Sequence, residues 1–468
     1  MKKELEQLKD DLSELKDKLS YTSEHIAAAR PEDVALADEF CEDYKEFLDL
    51  AKTEREAVDT VLEMAKEAGF KEFDREKKYR AGDKVYFMNR GKSMVLVTFG
   101  KKPLSDGVRF VVSHGDAPRL DLKARPLYEK NGMAFFKTHY YGGIRKYQWT
   151  AIPLSLHGVV YLSDGKKVTV CIGEKDTDPR FVITDLLPHL SSVQNERKLS
   201  EGVKAEELNL VTGNIPLGDE KDPVKLCVLN ILHDRYGIRE KDLITAELEA
   251  VPAVKACDIG LDRSMVGAYG QDDRSCVFTS LAAHFALEKP EHTVVTVITD
   301  KEEIGSEGTT GMCSRFLHDF MEDICENKGV RIRDVYRNSV CLSADVGAAY
   351  DPTFSDVFEE QNSAYTGHGP VFQKFTGARG KSGASDASAE TYASVVSILE
   401  KNGVIWQAGE MGKVEAGGGG TIAKYMADMN IDTIDIGVPI TSMHAPFELA
   451  SKLDVYHMYK AVKAFAEN

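Results

Sequence analysis

The sequence predicts an α/β fold, built on a mixed sheet and interrupted by a β-rich insert. Three observations carry this reading. First, short runs of β-branched and apolar residues at 108–112, 293–299 and 339–344 read as buried strands, and they alternate with helical stretches. Second, residues 121–255 differ from the rest: they hold strand-like runs such as HGVVYLSDGKKVTVCIG, polar connectors and a basic-aromatic loop, YYGGIRKYQW. Third, 468 residues exceed the size at which one core keeps growing, so two domains are expected. The expected organisation is residues 1–120 and 256–468 as one unit, with 121–255 inserted and the first sheet resuming near 256.

Composition narrows the function. A net charge of −17 argues against nucleic acid or an anionic membrane as partner. No apolar run approaches the ~18 residues of a membrane span. The opening MKKELEQLKDDL lacks the apolar core of a signal peptide. The eight cysteines form no CxxC pair, which reads as reduced thiols in a cytoplasmic protein.

In chain order, Leu5, Leu8, Leu12, Leu15 and Leu19 alternate at spacings of three and four, which predicts an amphipathic helix over residues 1–30 with a coiled-coil seam. That seam suits packing against its own subunit or a partner. One helical stretch follows over 32–69, then strands KVYFMNR, SMVLVTFG and VRFVVSHGD. The last ends at His114 and Asp116; His114 can ligate a metal while Asp116 accepts the other ring N–H and fixes the tautomer. A surface turn is the plainer reading of a lone His-x-Asp. After the insert, Asp272-Asp273 opens an amphipathic helix, where the dipole favours negative charge and a simple N-cap is the bland alternative.

The run Thr293–Thr299 stops at Asp300, and Glu302-Glu303 follow before a Gly- and Ser-rich turn. In open α/β sheets ligands bind past the carboxyl ends of strands. Asp345 ends the strand at 339–344, VIWQ at 404–407 reads as a strand, and IDTIDIGVPI runs into His444. The GKS at 380–382 does not make a P-loop, because Phe375 stands where the required Gly would be. An amphipathic helix over 452–467 closes the chain.

His114, Asp272, Glu302, Glu303, Asp345 and His444 therefore all fall at strand or loop ends. Mixed His and carboxylate ligands suit zinc and related divalent ions. Five ligands exceed one open tetrahedral site and match two metals sharing one bridging Asp, with the sixth carboxylate free as general base.

The ordered motifs SHGDAP, QDDR, DKEEIGSEG, SADV and SMHAPFE resemble those of the M18 metallo-aminopeptidases, the aspartyl aminopeptidase and vacuolar aminopeptidase I group. The likeness covers nearly the whole chain after about residue 30, including PRFVITDLLPHLSS and DLITAELEAVPAV in the insert. It implies a phosphorylase/hydrolase-like α/β peptidase domain interrupted by a dimerisation domain. It implies His114, Asp272, Glu303, Asp345 and His444 as ligands of two divalent ions, most simply zinc, with cobalt or manganese as substitutes. Asp272 would bridge, in a cis Asp272–Asp273 peptide. Glu302 would be the general base toward a metal-bridging water, and Asp116 would orient His114. The resemblance further implies tetrahedral dodecamers that admit only peptides. It places His368 at a substrate-binding position, where acidic-specific members carry Lys, so neutral or broad specificity is expected. It places His189 within reach of a neighbouring subunit's site. The rival readings are a di-metal carboxypeptidase or deacylase and a non-catalytic scaffold.

Overall fold

The computed structural model describes residues 18–468 without a break, together with residues 7, 11, 12, 15 and 16. The elements that position the site are helices α1 (Asp33–Leu50) and α2 (Glu54–Glu67), strand β1 (Val108–His114), strands β2 (Leu154–Tyr161) and β3 (Lys167–Ile172) of the insert, helix α3 (Gln271–Phe285), strands β4 (Thr293–Thr299), β5 (Val340–Ala344) and β6 (Asp432–Gly437), and helix α4 (Lys452–Glu467).

The largest sheet has nine strands. Its middle is the run β4-β1-β5-β6, all parallel. Strand Ser93–Thr98 joins β4 antiparallel, and Val371–Gln373 joins β6 antiparallel, so the sheet is mixed. The four central strands are almost entirely buried, as expected for strands covered on both faces. Register sets up the site. Thr299 pairs with His114 across β4 and β1, and Ser343 pairs with Val112 across β5 and β1. The chain leaves all these strands at the same edge, where Glu302, His114 and Asp345 lie.

The six-stranded sheet is wholly antiparallel, in the order β3-β2-(Glu247–Pro252)-(Arg119–Lys130)-(Met133–Tyr141)-(Asn209–Gly213). Trp149, Leu154, Leu156, Ile183 and Leu210 fill its own core.

Three sequence expectations change in detail. The helix expected over 32–69 is two helices, because Thr53 caps the second one by accepting the Glu56 amide, 3.3 Å away. The chain after the insert does not resume the large sheet. It first builds a five-stranded sheet containing Met265–Ala268 and Glu448–Ser451, and rejoins the large one only at β4. VIWQ supplies only the edge pair Gln407–Ala408, since strand pairing there is limited to two residues. Of the leucine seam, Leu5 and Leu8 lie outside the described residues, and Leu12, Leu15 and Leu19 are exposed.

Candidate active site

His114 is the last residue of β1 and is buried. Its Nδ1 lies 3.0 Å from the Asp116 carbonyl oxygen and 3.4 Å from the Asp116 carboxylate. Nδ1 is therefore the protonated nitrogen, and Nε2 is turned toward carboxylates. Asp272 Oδ1 lies 3.3 Å from that Nε2, and Asp272 Oδ2 lies 3.2 Å from Nε2 of His444. One carboxylate thus presents its two oxygens to two histidines that are 330 residues apart in sequence. His444 Nε2 is also 3.4 Å from Glu303, and His114 Nε2 is 3.8 Å from Asp345. Donor atoms of His114, Asp272 and Glu303 lie within 4.8 Å of one another, as do those of His114, Asp273 and Asp345.

The two glutamates are held by their backbone. Asp116 is buried, and its carboxylate accepts the amide N–H groups of Glu302 and Glu303, each at 3.2 Å. It also accepts the Tyr141 hydroxyl at 2.8 Å. Asp116 therefore orients more than His114: it fixes the turn that aims both glutamates. Lys301, at the head of that turn, takes a left-handed φ of 69°.

His444 is oriented from both sides. Its Nδ1 donates to the Gly143 carbonyl at 2.9 Å, and its backbone N–H donates to Glu448 at 2.7 Å. The other Glu448 oxygen accepts the Asp272 N–H at 3.1 Å. The pairing of Ala268 with Glu448 in the small sheet brings this carboxylate to the head of α3. The Asp272–Asp273 peptide is cis.

Charge is crowded here. Burial pushes the carboxyl groups of Glu302 and Glu448 up to about 8, and raises Glu303, Asp273 and Asp345 above the ordinary range as well. Burial opposes ionisation of Asp272 too, but the adjacent His114 and His444 imidazoles outweigh it and hold Asp272 low. His444 rises to about 10: burial opposes its charge, and the neighbouring Asp272 and Glu303 carboxylates prevail. Glu303 Oε1 and Asp273 Oδ1 are buried without a hydrogen-bond partner. Buried carboxyl oxygens left without donors, beside two imidazole nitrogens facing a shared carboxylate, are a donor set that suits divalent zinc. The cleft they open into has a volume of about 490 Å³, and Gln373, Met411, Lys424, Tyr425 and Met443 line its walls.

All six residues expected at the site converge. His368 does not line this cleft. Its Nδ1 is 2.7 Å from Ser23 Oγ and its ring meets His25 edge-on, because the segment before α1 folds across the loop that carries it. His189 is exposed on a short turn of the insert. Sequence reasoning missed Glu448, Tyr141 and Gly143. Glu448 stands at the end of SMHAPFE, four residues after His444, and that spacing was its only signal. Tyr141 and Gly143 belong to the YYGG turn, where nothing local distinguishes a structural loop from one that closes over a distant cleft.

A family model described as aminopeptidase I zinc metalloprotease (M18) matches residues 47–466. The chain is 46% identical over 447 residues to a probable M18 family aminopeptidase 1 of Clostridium acetobutylicum, covering 93% of this chain and 95% of that one. Its fold superposes with a TM-score of 0.93 on the crystal structure of an M18-family aminopeptidase from Thermotoga maritima, at 42% identity, covering 96% of this chain and all of that one. It also resembles, at 21% identity and a TM-score of 0.74, the S. cerevisiae mApe1 dodecamer, covering 92% of this chain and 96% of that one.

Proposed function

The chain belongs to the M18 family of zinc aminopeptidases, and from that premise we propose how its cleft removes an amino-terminal residue from peptides. Metal-dependent aminopeptidase activity follows from the family; the residue roles are the reading offered here. His114, Asp272, Glu303, Asp345 and His444 would hold two divalent ions, zinc in the simplest case, with Asp272 facing both histidines. The observation that carries this is Asp272 with His114 at 3.3 Å on one oxygen and His444 at 3.2 Å on the other. Bound there, divalent ions supply Lewis acidity that polarises the scissile carbonyl and acidifies water.

The chain's own groups do the rest. Glu302 lies beside the cluster and is not needed as a ligand. It accepts the proton of the attacking water and returns it to the leaving amine. The cleft's surplus of carboxylates attracts the substrate's α-ammonium, which favours exopeptidase action. Asp116 and Glu448 keep Glu302, Glu303 and His444 in place. With His368 standing where acidic-specific members carry Lys, neutral or broad preference is favoured over strictly acidic.

Assembly is part of this reading. Residues 121–255 serve as a dimerisation unit, and Leu186, Leu187, Leu190, Val193 and Leu199 on it are exposed apolar residues within one segment, an arrangement suited to a subunit contact. His189 lies within the same segment and is assigned to a neighbouring copy's site. A tetrahedral dodecamer is the arrangement proposed. No helix among the described residues is long and apolar enough to cross a membrane, and the eight cysteines are unpaired, which favours the cytoplasm.

The deciding experiment strips the protein with a chelator, restores zinc, cobalt or manganese singly, and assays peptides with free and blocked amino termini. Metal-restored cleavage of free peptides alone is expected. Equal cleavage of blocked peptides would assign a different hydrolase activity.

A further inference from the structure

Outside the catalytic cleft, one other cluster of ligand-type side chains comes together among the described residues, where α2 meets the insert. Glu56, His157 and Cys171 offer an oxygen, a nitrogen and a sulfur within 4.8 Å of one another. None of them lines the catalytic cleft.

The geometry is built by sheet register. His157 on β2 and Cys171 on β3 are directly opposite in the antiparallel pair, so their side chains share one face and nearly touch. Helix α2 lies over that face, and its first turn delivers Glu56, whose Oε1 is 2.7 Å from His157 Nδ1. Thr53 holds Glu56 by donating to its other oxygen at 3.2 Å. The second imidazole nitrogen is already assigned: Nε2 lies 3.1 Å from Glu174 and 3.0 Å from Ser155. Ser155 itself donates to the same Glu174 oxygen at 2.7 Å, and Lys52 to it at 3.1 Å. A carboxylate that accepts one imidazole N–H fixes the tautomer and leaves the other nitrogen free to coordinate, which is how metal-ligating histidines are normally supported. Here Nε2 is the supported nitrogen, and Nδ1, whose partner is Glu56, faces the two other ligand-type side chains, Glu56 and Cys171.

We propose that Glu56, His157 and Cys171 form a third divalent-cation site, selective for zinc, that clamps α2 to the inserted sheet. Thiolate, imidazole and carboxylate together suit zinc and not magnesium or calcium. Zinc bonds of about 2.0–2.3 Å put tetrahedral ligand atoms roughly 3.4–3.6 Å apart, so the Glu56–His157 contact opens by under about 1 Å on loading. Binding displaces the protons of the Cys171 thiol and of His157 Nδ1, and solvent takes the fourth position. The site is independent of the catalytic assignment, which uses no sulfur.

That absence of sulfur supplies the test. The full-length, metal-stripped protein is titrated with cobalt(II) alone, and the near-ultraviolet thiolate-to-cobalt charge-transfer absorption is recorded. The wild type is expected to show the band, Cys171→Ser to lose it together with one equivalent of zinc in equilibrium dialysis, and Glu56→Gln to weaken the band's cobalt affinity by about tenfold. Cys171 is exposed, so its Ser variant retains the fold, and its aminopeptidase activity stays near the wild-type value. Absence of the band in wild type, its survival in Cys171→Ser, or unchanged cobalt affinity in Glu56→Gln overturns the site.

Discussion

Glu302 Oε2 stands 4.0 Å from His114 Nε2, beyond hydrogen-bonding range but within reach of whatever that nitrogen holds. A general base must sit beside the reacting water without being consumed as a ligand. Glu302→Gln keeps the shape of the side chain and removes its ability to take a proton. It is expected to lower kcat by about 10²–10⁴-fold and to leave bound metal per chain unchanged. Near-wild-type turnover would reassign the base.

Asp272 and His444 would serve the two proposed ions differently. Asp272 faces both histidines, whereas Nε2 of His444 faces Asp272 and Glu303. Asp272→Asn should therefore deplete both ions, and His444→Ala should leave one of them bound. Elemental analysis of the purified variants gives the count. Equal retention in the two variants would remove Asp272 from the shared position.

The Tyr141 hydroxyl tests how far the insert supports catalysis. It donates to Asp116, which holds the amides of both glutamates. Tyr141→Phe removes that one hydrogen bond from a buried carboxylate. A drop of about 10–100-fold in kcat/KM is expected, with secondary structure and thermal midpoint close to wild type. An unchanged kcat/KM would mean that the turn carrying Glu302 holds itself.

The site was legible in the sequence because it sits where sequence patterns are strongest. His114, Glu302 and Asp345 each follow a buried parallel strand, and such strands announce themselves by unbroken apolar runs. The supporting residues were not legible for the converse reason. Glu448 acts through a short strand in a small sheet, and Gly143 acts through its carbonyl, a group every residue possesses. The surroundings of His368 were not legible either, because a loop histidine carries no periodicity, and only the fold shows that Ser23 and His25 lie against it. The break between α1 and α2 was hidden too: both helices are amphipathic, and Thr53-x-x-Glu56 is the one local sign of a new start.

Arg119 ties the inserted sheet to α2. It is buried, and its guanidinium reaches Glu54 at 2.9 Å, Asp121 at 2.8 Å and Glu249 at 3.3 Å, with its plane 4.0 Å from the Tyr141 ring. Arg119→Met strands the buried Glu249 carboxylate and leaves the buried Glu54 with Lys92 alone, at 2.9 Å, and is expected to cost about 3–5 kcal/mol. Replacing Glu249 by Leu at the same time removes the stranded carboxylate, so the double variant should be the more stable of the two. Chemical denaturation of both reads this directly; a double variant less stable than the single would show that Glu249 is not stranded by the loss of Arg119.

His284 gives the pH dependence that is free of the metal cluster. It lies buried near the end of α3, its Nε2 2.9 Å from Thr98 Oγ1 and its Nδ1 2.7 Å from Thr296 Oγ1, with Phe70 edge-on to the ring. Burial, with a smaller contribution from the Lys84 charge, pushes the imidazole down to about 3, from an ordinary 6.5. The unfolded chain therefore binds a proton below 6.5 that the folded chain refuses until about 3. Stability is insensitive to this group above 6.5 and falls as pH drops through that window, by about 1.4 kcal/mol per unit. His284→Gln can keep a hydrogen bond to one threonine but cannot titrate. Between pH 7 and 5 the wild type should lose about 2 kcal/mol more than the variant, measured as the change in denaturation free energy of each. Taking that difference cancels the other titrating groups, so parallel pH profiles in the two proteins would mean that His284 accepts its proton inside the fold.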